Sequence, residues 1–393
     1  MKRTVLYLFH VSYFGGGSGC LLRMVRSLDR GSFDPVVVVK ADGPLVAALH
    51  EEEMEVHIDP AIRAIPYCRS LLSLRHIWQY VRTFASIRRV AYWIRRTQAD
   101  IVHLNTMLLY PYLLAVRLAG KAGVLHAREH WPEGRHRLQF SLLRYFARRY
   151  ASAIVAINRT TGNILRLGDK TTIVHDWVDF EGRDEEVDLN AQFGLDPLRH
   201  KIFLYLGGIQ PIKGALEIVE TFLESDLGAE VKLLFVGGIQ RRYGLIKGTL
   251  RKLLRFLGRP TYSDRIQRLM LKHQGKIVAM PATIQVKSLI EQCYAMVSFA
   301  TRPHAIIPLV EAAWLGKPSI AADTPEAREY TDNGAGAILV PMNDRHALRA
   351  AFENLAANPE LAADLGQRGQ AYVRNIFDKE WNINLLEGVY RTL

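Results

Sequence analysis

Cysteine is nearly missing from this sequence: Cys20, Cys68 and Cys293 stand far apart in 393 residues. That spacing excludes a disulfide framework and offers no metal-ligand pattern, and it suits a reducing compartment. Long apolar runs are missing too, since no stretch approaches the roughly 18 uninterrupted apolar residues of a membrane-spanning helix. The opening MKRTVLYLFHVSYFGGG has the outline of a signal peptide, and Gly17-Ser18-Gly19-Cys20 that of a lipoprotein cleavage site. However, His10 and Ser12 interrupt its short apolar core, and a glycine stands where the cleavage site needs a branched apolar residue. A first β-strand is expected instead.

Acidic residues are absent or rare in two segments. Residues 61–99 hold eight Arg and no acid. Residues 240–276 hold eleven Lys or Arg against Asp264 alone, which is +10 of the net +12. Such patches attract nucleic acid, anionic lipid or acidic substrates, and a solvated helix face accounts for the same charge. Both segments carry Leu, Ile, Tyr, Phe or Trp between the charges, which favours an anionic membrane surface. No recognition-helix, zinc or aromatic-stacking motif accompanies them, so no nucleic acid is expected as a partner.

What is present is ordered and globular: 49% apolar and 23% charged residues, in a chain longer than one core usually serves. Short apolar, β-rich runs alternate with helical patterns. They lie at 4–9, 35–39, 100–105, 123–129, 153–158 and 171–175. After an acidic, turn-rich segment at 181–200 they resume at 201–208, 231–238, 275–282, 294–300, 317–323 and 336–340. Continuous rather than alternating apolar runs are what parallel strands covered on both faces require. The pattern predicts an α/β protein with two similar doubly wound sheets in tandem and a cleft between them, followed by a helical tail from Asn343. Ligands of such sheets bind beyond the carboxyl ends of the strands.

Four motifs fall at those ends. In HVSYFGGGSGCLLRMVRSL, Gly16 and Gly17 precede Ser18, expected as the N-cap of a helix whose N–H groups could meet an anion. An ordinary strand-to-helix turn would look the same. LYLGGIQPIKGALEIVETF repeats the design, with Gly207-Gly208 and then Lys213-Gly214 opening a helix, so that Lys213 could neutralise a diphosphate. A surface lysine in a first turn is the plainer alternative. GVLHAREHWPEG ends a strand with His126, Arg128, Glu129 and His130, while HLNTM ends another with His103 and Asn105 pointing the same way. The fourth, RPHAIIPLVEAAWLGKPSIA, sets Glu311 inside an apolar run. If Pro308 opens a helix, Glu311 lies in its first turn and gains about 0.3–1 kcal/mol from the helix dipole. Otherwise it holds a polar ligand.

The order of these motifs resembles the retaining, nucleotide-sugar-dependent glycosyltransferases of family 4, bacterial cell-surface glycan enzymes of the GT-B fold. The resemblance covers nearly the whole chain. It includes the Gly loop, the strand ending at His126, VHDWVDF (174–180), LGGIQPIKG (206–214), PLVEAAWLGKPSIAAD (308–323) and DTPEAREYTDNGAGAILV (323–340). FDKEWNINLLEGVYRTL (377–393) resembles the family's closing helix, which crosses back to the first domain. The resemblance implies Rossmann-like domains at 1–182 (acceptor) and 183–376 (donor), with 377–393 returning to the first. Glu311 stands where the family's second motif glutamate binds the two ribose hydroxyls, and a carboxylate can accept both hydrogen bonds. Two positions depart from the family: Pro303 replaces the first motif glutamate, and Gly208 replaces an arginine.

By this resemblance a sugar passes from a nucleoside diphosphate sugar, UDP- or GDP-linked, to a glycan or lipid-linked acceptor. The anomeric configuration is retained and no metal takes part; the chain has no Asp-x-Asp motif. The expected donor contacts are Gly16, Gly17, Gly207, Gly208, Lys213, Ala282, His304, Ala305, Ile306, Ile307, Leu309 and Glu311. His126 is expected to contact the transferred sugar and Glu129 to join it in catalysis, with Asn105, Arg128 and His130 toward the acceptor. The expected location is cytoplasmic, at the inner face of the membrane. A different reading stays open: Pro303 and Gly208 would also suit a degenerate relative that binds a glycan or nucleotide sugar without turnover.

Overall fold

The computed structural model describes residues 2–13, 15–65, 74–131, 137–180, 186–237, 260–283 and 285–393. The chain divides into two compact units. One runs up to Trp177 and is completed by Phe377–Leu393, and the other is Val178–Ile376.

In the first unit the described strands are β1 (Arg3–Phe9), β2 (Phe33–Val39), β3 (Glu55–Ile58), β4 (Ile101–Leu104), β5 (Ala122–Ala127), β6 (Ala153–Ala156) and β7 (Thr171–Ile173). They form one parallel sheet in the order β3-β2-β1-β4-β5-β6-β7. Chain direction across the sheet reverses between β1 and β4, the switch point at which such sheets open for ligands. Side chains alternate as strand geometry demands. Leu6, Leu8, Val36, Val38, Val102 and Leu104 enter one core, while Val5, Tyr7, Val37, Val39, Ile101 and Val124 enter the other. The closing helix Lys379–Thr392 completes that second core with Ile383, Leu386, Val389 and Tyr390. β3 was not expected from the sequence. Its EVHI is half polar and largely uncovered, as befits an edge strand paired on one side only.

The second unit repeats the plan with β8 (Lys201–Leu206), β9 (Val231–Val236), β10 (Ile277–Met280), β11 (Ala295–Ser298), β12 (Ser319–Ala322) and β13 (Ala337–Val340), ordered β10-β9-β8-β11-β12-β13 and parallel throughout. Its tail is helical, at Arg345–Ala357 and Pro359–Ile376. No described helix is long and apolar enough to cross a membrane. Of the basic segment 240–276, residues 240–259 lie outside the described residues. The rest leads into the helix Tyr262–Lys272, opened by a Thr261–Asp264 capping box.

Candidate active site

At the switch point of the first unit, β1 runs into the helix Gly16–Ser27. Its N-cap is Gly15 rather than Ser18. The Gly15 carbonyl accepts from Ser18 N (3.1 Å) and Gly19 N (3.0 Å), so the helix has already turned when Ser18 is reached. The Ser18 hydroxyl instead donates to Tyr13 O at 2.7 Å. Gly16 and Gly17 are exposed in the first turn, and a Cβ on Gly16 would meet nothing within 4 Å.

The end of β5 is tightly knit. His126 is buried, its Nδ1 2.9 Å from His103 Nε2, while its Nε2 has no partner among the described residues. Arg128 Nε donates to Asn105 Oδ1 at 2.9 Å, and Arg128 Nη1 donates to both oxygens of Asp176 at 2.7 and 2.8 Å. The Glu129 carboxylate accepts from the Thr106 hydroxyl and from Met107 N (2.9 Å). It caps the 3-10 turn Met107–Tyr112, and burial raises its pKa. Glu129, Arg128 and Asn105, expected at the reaction and toward the acceptor, thus each have a partner within the first unit, while Asn105 Nδ2 is buried without one among the described residues. His130, half-buried, follows on the same loop.

His126, Arg128 and Asp176 line a small pocket with Cys20, Arg23 and His175. Burial, then the Arg128 charge, drives the His103 and His126 pKa values far below the ordinary imidazole range, so both rings are neutral near pH 7. Burial is the largest single influence on Arg128 and disfavours its charge, but Asp176, Cys20 and Glu129 together more than offset it, so its pKa is raised.

In the second unit β8 ends at Gly207-Gly208, and a 3-10 turn, Pro211–Lys213, leads through Gly214 into the helix Ala215–Glu224. Gly214 has φ +65°, and a Cβ there would lie 1.9 Å from Phe299 O, so no other residue fits. Gly208 has φ +60°, with its Cβ position 2.5 Å from Gly237 O. The backbone at this position therefore excludes an arginine. Lys213 is half-buried and its pKa is lowered by that burial, with no neighbouring carboxylate to oppose it among the described residues. It lines a small pocket with Gly207, Ser298, His304, Ala305 and Ile306. Five expected donor residues are thereby brought together from separate segments.

Others are not among the lining residues. Leu309 is a core side chain, 1% exposed. Ala282 is exposed on the loop after β10. Ile307 opens the helix Ile307–Trp314, so Pro308 is its second residue and Glu311 lies in the second turn. The expected first-turn placement is corrected by one residue. The dipole effect fades beyond the first turn, so it does not account for this half-buried carboxylate.

Comparison with known proteins decides the family. The model described as Glycosyltransferase Family 4 matches residues 14–181, and that of the group 1 glycosyl transferases matches 189–372. The chain belongs to the family 4 glycosyltransferases. The D-rhamnosyltransferase WbpZ of Pseudomonas aeruginosa is 24% identical over 56% of this chain and 52% of that protein, so the chain spans about half the length of this curated relative. The structure of Anabaena HepE in complex with UDP and glucose superposes with TM-score 0.77 at 17% identity, covering 100% of both chains. A glycosyltransferase from Rickettsia africae gives 0.74 at 17% identity, covering 100% of this chain and 98% of that one. These likenesses establish the GT-B fold.

The sequence of this glycosyltransferase did not single out Asp176, Tyr390 or the pairing of His103 with His126. Asp176 lies in VHDWVDF, where an acid flanked by His175 and Trp177 was the available signal. Tyr390 carries no local signal, because its partner His103 is 287 residues away. Among the described residues, no group of three or more His, Cys, Asp or Glu comes together as metal ligands.

Proposed function

We propose that this glycosyltransferase moves a sugar from a nucleoside diphosphate sugar, UDP- or GDP-linked, to a glycan or lipid-linked acceptor of the cell surface. The anomeric configuration is retained and no metal takes part. The observation that carries this reading is Lys213. Its half-buried ammonium faces no carboxylate among the described residues; a partly desolvated charge without a partner is costly, and a diphosphate would supply the opposite charge. The leaving group is a nucleoside diphosphate, so stabilising its developing charge is the main catalytic task. Lys213 does this together with the N–H groups of Gly207 and of the His304–Ile306 segment. In the first unit, the exposed helix start at Gly16 and Gly17 suits an anion in its own right. Glu311 holds the ribose. His126 contacts the transferred sugar from its cavity. HepE, crystallised with UDP and glucose, supports a nucleotide-linked donor.

The helix Leu74–Ala85 exposes Ile77, Trp78 and Val81, with the Arg82 guanidinium 4.2 Å over the Trp78 ring. An apolar patch mixed with cations suits an anionic membrane surface at the inner face of the cytoplasmic membrane, where lipid-linked acceptors are presented.

The test is thermal unfolding with UDP, GDP, dTDP and ADP, for the wild type and for Glu311→Ala and Lys213→Met. A nucleotide at about 100 times its Kd adds roughly 2.7 kcal/mol of stability. Stabilisation by one nucleotide, reduced in both variants, is expected, and the reaction with that donor should survive EDTA. If none of the four stabilises the wild type and no donor is turned over, the alternative motivated by Pro303 and Gly208 stands: a protein that binds glycans without catalysis.

A further inference from the structure

Four helices cover one face of the first sheet: Leu74–Ala85, Ile87–Arg96, Leu113–Leu118 and Arg137–Tyr150. They share one core with that sheet, the last three through Val90, Trp93, Leu113, Val116, Leu143 and Phe146. Aromatic contacts tie the first helix into the same layer. The Phe84 ring lies 6.1 Å from that of Phe146, and the Tyr80 and Tyr110 hydroxyls are 3.1 Å apart.

Together these helices hold eleven arginines and no lysine, aspartate or glutamate. Arg88, Arg95, Arg96, Arg117, Arg148 and Arg149 are exposed, and none has a carboxylate partner among the described residues. Arg89 has one, Asp59 at 3.0 Å. Exposed Tyr92, Leu118, Leu138 and Tyr145 stand on the same helices as these cations, as Ile77, Trp78 and Val81 do on the first helix. Three guanidiniums lie over aromatic rings: Arg82 over Trp78, Arg89 over Tyr92 and Arg149 over Tyr150, at 4.2, 4.9 and 5.6 Å.

Helix dipoles account for part of this charge, since Arg95, Arg96, Arg117, Arg148 and Arg149 close their helices. They do not account for the missing acids. A solvated helix face mixes both signs, with acids paired to bases a turn away. On the opposite face of the same sheet, the helices Pro44–Glu51 and Lys379–Thr392 carry Glu51, Glu380 and Glu387. Dipoles also leave the exposed apolar side chains unexplained. Cations without acids, interleaved with aromatic and aliphatic groups, complement anionic headgroups over hydrocarbon. Guanidiniums pair with phosphates, and Tyr and Trp rings favour the headgroup boundary. A nucleic-acid duplex would use the charge but not Leu118, Leu138 or Val81.

We propose that the outer side of this four-helix layer is one docking face for an anionic bilayer, with the helix axes in the membrane plane. It extends the contact argued above for Leu74–Ala85 to three further helices, two of which lie outside the basic segments of the sequence. The face stands on the placement of these side chains. That lipid-linked acceptors arrive along the same bilayer rests on the function proposed above.

Co-sedimentation of the intact chain tests the face, with vesicles of phosphatidylcholine alone and of phosphatidylcholine mixed equally with phosphatidylglycerol. The wild type is expected to bind the mixed vesicles at least about tenfold more tightly, and to lose that preference as salt is raised. Arg148→Gln with Arg149→Gln should weaken binding to mixed vesicles roughly tenfold and leave the melting temperature as it was. Tyr145→Ser should weaken it several-fold. Arg95→Gln with Arg96→Gln repeats the charge test on another helix, so that one variant failing to fold does not remove it. Equal binding to both vesicles, or to neither, overturns the proposal. So do folded arginine variants bound as tightly as the wild type, which would confine the contact to Leu74–Ala85. Preference for a DNA duplex over mixed vesicles at the same salt overturns the choice of partner. Every variant should keep the wild-type response to UDP, GDP, dTDP and ADP. Failure of the donor-site reading would appear in that titration, with the vesicle result untouched.

Discussion

Arg128 and Asp176 are 8% and 9% exposed in their side chains, and their charges meet with little water between them. A buried pair of this kind adds little over an apolar pair, but breaking it leaves a buried charge alone. Asp176→Ala should therefore cost about 3–5 kcal/mol in urea unfolding, while the double replacement Arg128→Met with Asp176→Leu should recover most of that loss. At this scale the sequence was informative where chemistry is local. Lys213 stands beside a strand-to-helix turn, and Glu311 interrupts an apolar run, so both are legible from their neighbours. Residues whose task is set by distant partners were not legible. Glu129 and Arg128 look like free polar groups in HAREH, and only the fold supplies Thr106, Asn105 and Asp176 to occupy them.

Among the elements, buried parallel strands were legible because each is an apolar run closed by a turn; β3 escaped because an edge strand has no such run. Helix starts were less legible. Gly16 and Ile307 begin their helices one or two residues ahead of the cap or proline that advertises them. Gly214 links element to site, since its left-handed backbone turns the chain between Lys213 and the helix Ala215–Glu224. Gly214→Ala should destabilise by at least about 2 kcal/mol, and by moving Lys213 it should weaken nucleotide stabilisation beyond that loss, which paired melting curves with and without nucleotide would separate. For the helix Leu74–Ala85, Trp78→Ser should lower co-sedimentation with vesicles rich in anionic lipid several-fold. Equal binding by both proteins would remove this helix from the membrane contact.

Across the whole molecule, His10, His103 and His126 share one property: each is held neutral by burial, His10 with its pKa lowered to about 4 by burial and then by the Lys40 charge. All three take up a proton near pH 6.5 once unfolded. Below that pH the unfolded chain binds more protons than the folded one, so stability rises with pH and is fully present above about 6.5. Denaturant midpoints should be flat from pH 8 to 7 and fall below 6.5, with a slope approaching ~4 kcal/mol per pH unit if all three stay neutral in the fold. Replacing His10 with Gln should remove about a third of that slope.

The first unit is also interrupted in sequence, because residues up to Trp177 need Phe377–Leu393 to cover one face of their sheet. During synthesis those two parts leave the ribosome about 200 residues apart, a delay on the order of 10–40 s at roughly 5–20 residues per second. Throughout that delay Val5, Tyr7, Val37 and Ile101 lack the helix that covers them, and His103 lacks Tyr390. The second unit, continuous in sequence, is free to close meanwhile. A nascent chain paused short of residue 377 therefore pairs a finished C-terminal half with an unfinished N-terminal one, a ready client for chaperones that hold exposed apolar surface.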